Sequence, residues 1–144
     1  MPQILISPLA AGVIAQLLKF FIKSNGLKRD WRSITSYSGM PSSHAAMAVS
    51  LLTGVGLTQG LNSPLFAVCA IFSLFIIRDA LGLRQYVGQH GELLNDLVKD
   101  LRQDNISLKE KYPRLIEKIG HTPAQIIAGA ALGFFISLAA YYIF

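Results

Sequence analysis

Two histidines set in matching surroundings are the residues of this sequence best suited to chemistry. His44 ends the stretch Gly39-Met40-Pro41-Ser42-Ser43-His44, and small and apolar residues follow it to Gly56. A proline, small hydroxyl residues and then helix formers spell a helix N-terminus. Such an end carries unpaired backbone N–H groups and a partial positive charge, which suits an anion, phosphate above all. A histidine in that first turn can give a proton to a phosphate oxygen or take one. The stretch Gly120-His121-Thr122-Pro123-Ala124-Gln125 repeats the layout: a glycine, a histidine and a hydroxyl residue beside a proline at a helix start. Cations could join them. In Arg78-Asp79-Ala80-Leu81-Gly82-Leu83-Arg84, either Arg78 and Arg84 offer forked donors to a phosphate with Asp79 orienting one of them, or the cluster is a plain interfacial ion pair. Lys19, three residues after Gln16 on one helix face, either snorkels to the interface or faces the interior and meets the anion.

The elements that must position these residues follow from the distribution of charge. The chain has 144 residues, 52% of them hydrophobic and only 15% charged, with a mean hydropathy of +0.45. Soluble domains carry about 25% charged residues, so the composition is that of a membrane protein. All 13 Lys and Arg and all 8 Asp and Glu fall in two windows, Lys19 to Arg32 and Arg78 to Lys118. Between and outside them lie charge-free blocks at 1–18, 33–77 and 119–144. A crossing needs about 20 residues, so the middle block holds two crossings and each outer block one.

The expected fold is therefore an all-α integral membrane helical bundle, a single domain over 1–144. It has about four transmembrane helices, at 4–22, 43–60, 64–83 and 122–143. Both charged windows, and with them the connecting segments 23–42 and 84–121, then lie on one face. The first window's excess of Lys and Arg assigns that face to the cytoplasm. Ser50, Thr53, Gly54, Gly56 and Thr58 place the second crossing among its neighbours rather than against lipid. Within the second window, Leu93, Leu94, Leu97, Val98 and Leu101 recur at helical spacing among charged residues. They predict a cytoplasmic amphipathic helix lying on the membrane or packing on the bundle. Ser107-Leu108-Lys109-Glu110 fits a capping box opening a short helix. Lys23, Lys28, Arg29, Trp31 and Arg32 read as a cationic surface loop anchored to headgroups. Gly129 and Gly133 permit close helix contact in the last span. The basic residues sit where topology already explains them, so no nucleic-acid partner is expected, and no motif calls for a metal or cofactor. The single Cys69 forms no intrachain disulfide.

These stretches, with Leu94-Asn95, resemble the type 2 phosphatidic acid phosphatase superfamily, to which vanadium haloperoxidases are related. Over nearly the full length the chain resembles its small divergent bacterial and plastid membrane family. The superfamily resemblance implies a phosphohistidine mechanism without metal. Its third-motif histidine attacks phosphorus while an aspartate orients it, its second-motif histidine protonates the leaving group, and Lys and Arg cradle the phosphate. The second motif, PSGH, stands here as Pro41-Ser42-Ser43-His44. The third, SRxxxxxHxxxD, has two partial matches. Arg84 and His90 keep the spacing but place Leu94 at the aspartate position. His121 is followed by the small-residue helix of the family but has Gln125 there. We assign His121, with Gln125 orienting its ring; an amide does so without adding charge, and loss of the carboxylate in the analogous hydrolase triad costs about 10⁴ in rate. The first motif, KxxxxxxRP, has only Lys19 or Lys23 as a stand-in.

The reading that results is a membrane phosphatase acting on a lipid phosphate or isoprenoid pyrophosphate. His121 is the nucleophile and His44 the general acid, with Lys19, Arg78, Arg84 and the backbone N–H groups of Ser42 and Ser43 on the phosphate. The alternative, favoured by Gln125 and the missing first motif, is a non-catalytic subunit that binds a lipid headgroup or a partner membrane complex; in either reading a homo-oligomer is open.

Overall fold

The computed structural model describes residues 2–22, 39–101, 114–117 and 119–143. The cationic loop with Trp31 and the capping box at 107–110 lie outside them. Five helices make up the described chain: α1 (Gln3–Phe21), α2 (Ser43–Gln59), α3 (Pro64–Leu81), α4 (Leu83–Leu101) and α5 (Pro123–Ile143). The chain is an all-helical membrane bundle. Among the described residues three helical runs are long and apolar enough to cross a membrane: α1, the run from Pro64 through α4, and α5. Their outer faces expose Leu5, Val13, Phe72, Phe75, Ile127 and Phe135.

Local signals set the helix ends. Ser42 Oγ accepts from Ala45 N–H at the start of α2, and Gly60 closes it at φ 83°, a left-handed conformation that suits glycine. Ser63 Oγ accepts from Phe66 N–H ahead of Pro64 at the start of α3. At α5, Thr122 N–H donates to Gln125 Oε1 (3.0 Å) and Gln125 N–H to Thr122 Oγ1 (3.4 Å), a reciprocal capping box.

With 17 residues, α2 spans about 26 Å, too short to count by length among the apolar runs. It nonetheless traverses the bundle. The turn at its end leads into α3, whose far end returns to the start of α5 through His121 N–H donating to Ala80 C=O (3.0 Å). α2 packs on α1, α3 and α5 and buries Ala45, Ala46, Ala48, Ser50, Gly54 and Val55. Small residues make this possible. Gly129 of α5 lies flush on the Ser42 backbone and Gly133 on that of Ala46, and a methyl at Gly54 would stand 3.1 Å from Ser137 Oγ. One packed centre joins Ala11, Ala15 and Ala46; another joins Ala45, Ala80 and Ile126. Van der Waals contact at close backbone approach, rather than bulky apolar burial, holds such a membrane bundle together.

The amphipathic helix begins earlier than the run at 93–101 suggests. Gly82 breaks α3 only briefly, its N–H donating to Arg78 C=O (2.9 Å), and α4 starts at Leu83. Among the helices α4 packs chiefly on α3. Residues 114–117 and 119–121 then lie along it as a strap. Asn95 donates from Nδ2 to Leu115 C=O and accepts Leu115 N–H at Oδ1, both at 2.9 Å. Gly88 and Gly91 admit the backbone of Glu117 and Ile116, where a side chain would collide.

Candidate functional site

The starts of α2 and α5 meet at one end of the bundle, beside the last turn of α1 and the end of α3. Ser42 N–H donates to Gln125 C=O (3.0 Å), tying the two histidine stretches backbone to backbone. His44 occupies the first turn of α2, and His121 sits just ahead of α5. Their rings stand edge to face, with centroids 6.1 Å apart and planes at 72°. Gly39 and Gly120, which open the two stretches, both hold positive φ (109° and 101°), so both need glycine.

Arg84 is the cation that reaches the pair. Its Nε donates to Asp79 Oδ2 at 2.6 Å, and its Nη1 stands 3.4 Å from His44 Nε2. Guanidinium only donates, so Nε2 is the lone-pair nitrogen of the resting His44 ring and the proton lies on Nδ1. That Nδ1 is buried with no hydrogen-bond partner among the described residues. Lys19 is 2% exposed and close enough for its charge to act on both imidazoles. It faces the interior rather than snorkelling out.

His121 is 1% exposed, and neither ring nitrogen has a hydrogen-bond partner among the described residues. Burial first, then the charges of Lys19, His44 and Arg84, hold its imidazole down to about 4. It is neutral at neutral pH, with a lone pair to offer. Its backbone is fixed at both ends: N–H to Ala80 C=O, and C=O accepting from Gln85 Nε2 at 3.2 Å.

Several expected ligands stand elsewhere. Gln125 does not orient the His121 ring; its Oε1 takes Thr122 N–H instead, because a helix start leaves donors that a glutamine three residues on can reach. The Ser42 N–H is not offered to an anion, since Gln125 C=O accepts it. This leaves Ser43 and His44 N–H as the first-turn donors without an intramolecular acceptor among the described residues. Arg78 is exposed on α3, and His90 is exposed on α4.

Two features escaped sequence reasoning. The strap grip of Asn95 links residues 20 apart, and no local pattern encodes it. The second is an open cleft of about 490 Å³ beside the pair, lined by Asp79, Leu83, Arg84, Val87, Ile116 and Ile119. Arg84 is common to both, so the cleft adjoins the histidines through a cation while most of its wall is apolar.

Comparison with known proteins agrees with this architecture. The model of the divergent PAP2 family matches residues 2–136. The uncharacterized membrane protein YuiD of Bacillus subtilis (strain 168) is 40% identical over 151 residues, covering 97% of this chain and 94% of that protein. No solved structure matches. A family match over nearly the whole length, joined to three membrane-length apolar runs, makes this chain an integral membrane protein of the divergent PAP2 family.

Proposed function

We propose that the chain is a membrane phosphatase that hydrolyses a phosphate monoester or pyrophosphate carried on a lipid. The observation that carries this reading is the meeting of two helix-start histidines at 6.1 Å with Arg84 and buried Lys19 beside them. A phosphoryl group placed there has a nucleophile on one side, a proton carrier on the other and two cations for its oxygens. Neutral His121 attacks phosphorus, the bond to the leaving oxygen breaks, and protonated His44 gives that oxygen its proton. His44 then takes a proton from water as the water attacks the phosphohistidine, which releases phosphate and restores His121. Nε2 of the resting His44 is the acceptor, so the cycle starts when an incoming phosphate displaces Arg84 Nη1 and brings the proton with it. Positive charge in the flanking windows favours a cytoplasmic site.

A second reading has its own support. His121 is almost wholly buried and no carboxylate among the described residues partners its ring, so the imidazolium formed on attack lacks the stabilisation such a group supplies. A non-catalytic subunit that binds a lipid headgroup through Arg84 and Lys19 fits the same geometry. Phosphate release by the detergent-purified protein from a panel of lipid phosphates and pyrophosphates separates the two. Hydrolysis by the wild type, abolished in both His44→Ala and His121→Ala, is the expected result. A silent panel with folded protein establishes the binding reading. Activity lost in His44→Ala but kept in His121→Ala moves the nucleophile to another group.

A further inference from the structure

We propose that the exposed apolar face of α4 packs against the same face of a second copy of this chain. Leu83, Val87, His90, Leu94, Leu97 and Leu101 recur at alternating steps of four and three, the spacing of a coiled-coil seam. All six are exposed; Leu83 is 67% and Leu101 60% accessible. Tyr86 and Leu93, also exposed, widen the stripe on one side. The strap packs on Gly88, Gly91 and Asn95 of the adjoining face, and its Ile116 and Ile119 share an open cleft with Leu83 and Val87, leaving the stripe uncovered along its length. The apolar part of the run from Pro64 is α3, since α4 carries Arg84, Glu92, Asp96, Lys99 and Asp100, and an apolar stripe of this length on a charged helix calls for a cover.

Charge selects the occupant. Helices that lie on anionic bilayers carry Lys and Arg on the polar side. The polar side of α4 carries Glu92, Asp96 and Asp100 against Lys99, while Arg84 is held by Asp79. That surface is repelled by an anionic leaflet. A second copy needs no such attraction, since a seam paired with itself is closed by a two-fold axis. Fewer than three heptads are marginal for free peptides in water. Anchoring both copies in one membrane raises their effective concentration and removes most of that penalty. His90, the one polar residue in the seam, then lies between the copies.

The test counts subunits of the full-length protein in liposomes by single-molecule photobleaching as the protein-to-lipid ratio is lowered. The wild type is expected to be mostly dimeric, and Leu94→Glu/Leu97→Glu to dissociate at a density at least tenfold higher. Phe72→Ala on the outer face of α3 should dissociate as the wild type does. A second measurement stands if the charged variant misfolds. Leu94→Cys in a Cys69→Ser background should form an intermolecular disulfide on mild oxidation, whereas Asp96→Cys on the polar side should not. Monomers at every density, or dimers indifferent to the seam substitutions, overturn the proposal. So does quenching of a Leu94→Cys fluorophore by brominated lipid, which would place the bilayer on this face. A fluorophore shielded from both solvent and lipid in a monomer would mean that the chain covers its own seam, and that also overturns it.

Discussion

Arg84 shows how a single residue can be legible in type yet ambiguous in role. Its sequence neighbours offered Arg78 and Arg84 equally, since both flank Asp79 near a helix end. The brief break at Gly82 turns α4 so that Arg84 faces His44, while Arg78 stays on the outer surface of α3. Removing one charged donor from a preorganised site costs about 10²–10³ in rate. Arg84→Ala should lower kcat/KM for a lipid phosphate by that factor, and Arg78→Ala should leave it within about twofold. Asp79→Asn keeps the positive charge but loosens its aim, and about a tenfold loss is expected. The second-motif histidine was equally readable, yet its anion nest was not. The carbonyl that takes Ser42 N–H belongs to Gln125, far along the chain, and backbone pairing at that range leaves no sequence mark.

His121 also carries a stability prediction. Its imidazole sits near 4 in the folded protein and near 6.5 when unfolded, so between those values the unfolded chain binds more protons. Stability from this group is fully present above about pH 6.5 and is lost as pH falls toward 4, by up to about 3 kcal/mol. Melting temperature in detergent, followed from pH 7 to pH 4.5, should fall further for the wild type than for His121→Asn. Parallel curves would show that the ring does not titrate as its burial requires.

At the scale of elements, the helix starts and the glycine stripe were readable because caps and close packing are local. Pro41, Ser42, Thr122 and Pro123 mark their helices within four residues, and Gly129 and Gly133 recur on one face. Gly129→Val would drive a side chain into the Ser42 carbonyl. We expect a loss of at least about 1–3 kcal/mol, the ordinary range for overpacking, and loss of activity with it, because α2 and α5 carry the two histidines. Thermal unfolding and phosphate release measured on one preparation check both. The strap was not readable, since its grip depends on Asn95 meeting a backbone 20 residues away. Asn95→Ala removes a donor and an acceptor together and leaves the Leu115 backbone without them. About 1–2 kcal/mol of local stability should go, seen as faster hydrogen exchange at 115–117 and 119–121. Activity should fall as well, because the strap delivers His121 to the site.

For the whole molecule, charge-free blocks and helix parity were enough to bring the end of α1, the starts of α2 and α5 and the end of α3 to one face. The excess of Lys and Arg in its flanks makes the cytoplasmic side the expectation for that face. Single cysteines in a Cys69→Ser background report it: Asn62→Cys should react with an impermeant thiol reagent added outside sealed cells, and Gln89→Cys only after permeabilisation. The account rests, however, on His44, His121, Lys19 and Arg84 forming one phosphoryl-transfer site. The most direct test is mass spectrometry of the wild-type protein quenched in base during turnover of a lipid phosphate. We predict an acid-labile phosphoryl group on His121, accumulating in His44→Ala if breakdown is slowed more than attack. A phosphoryl group on His90, or phosphate release with no histidine modified, would contradict it.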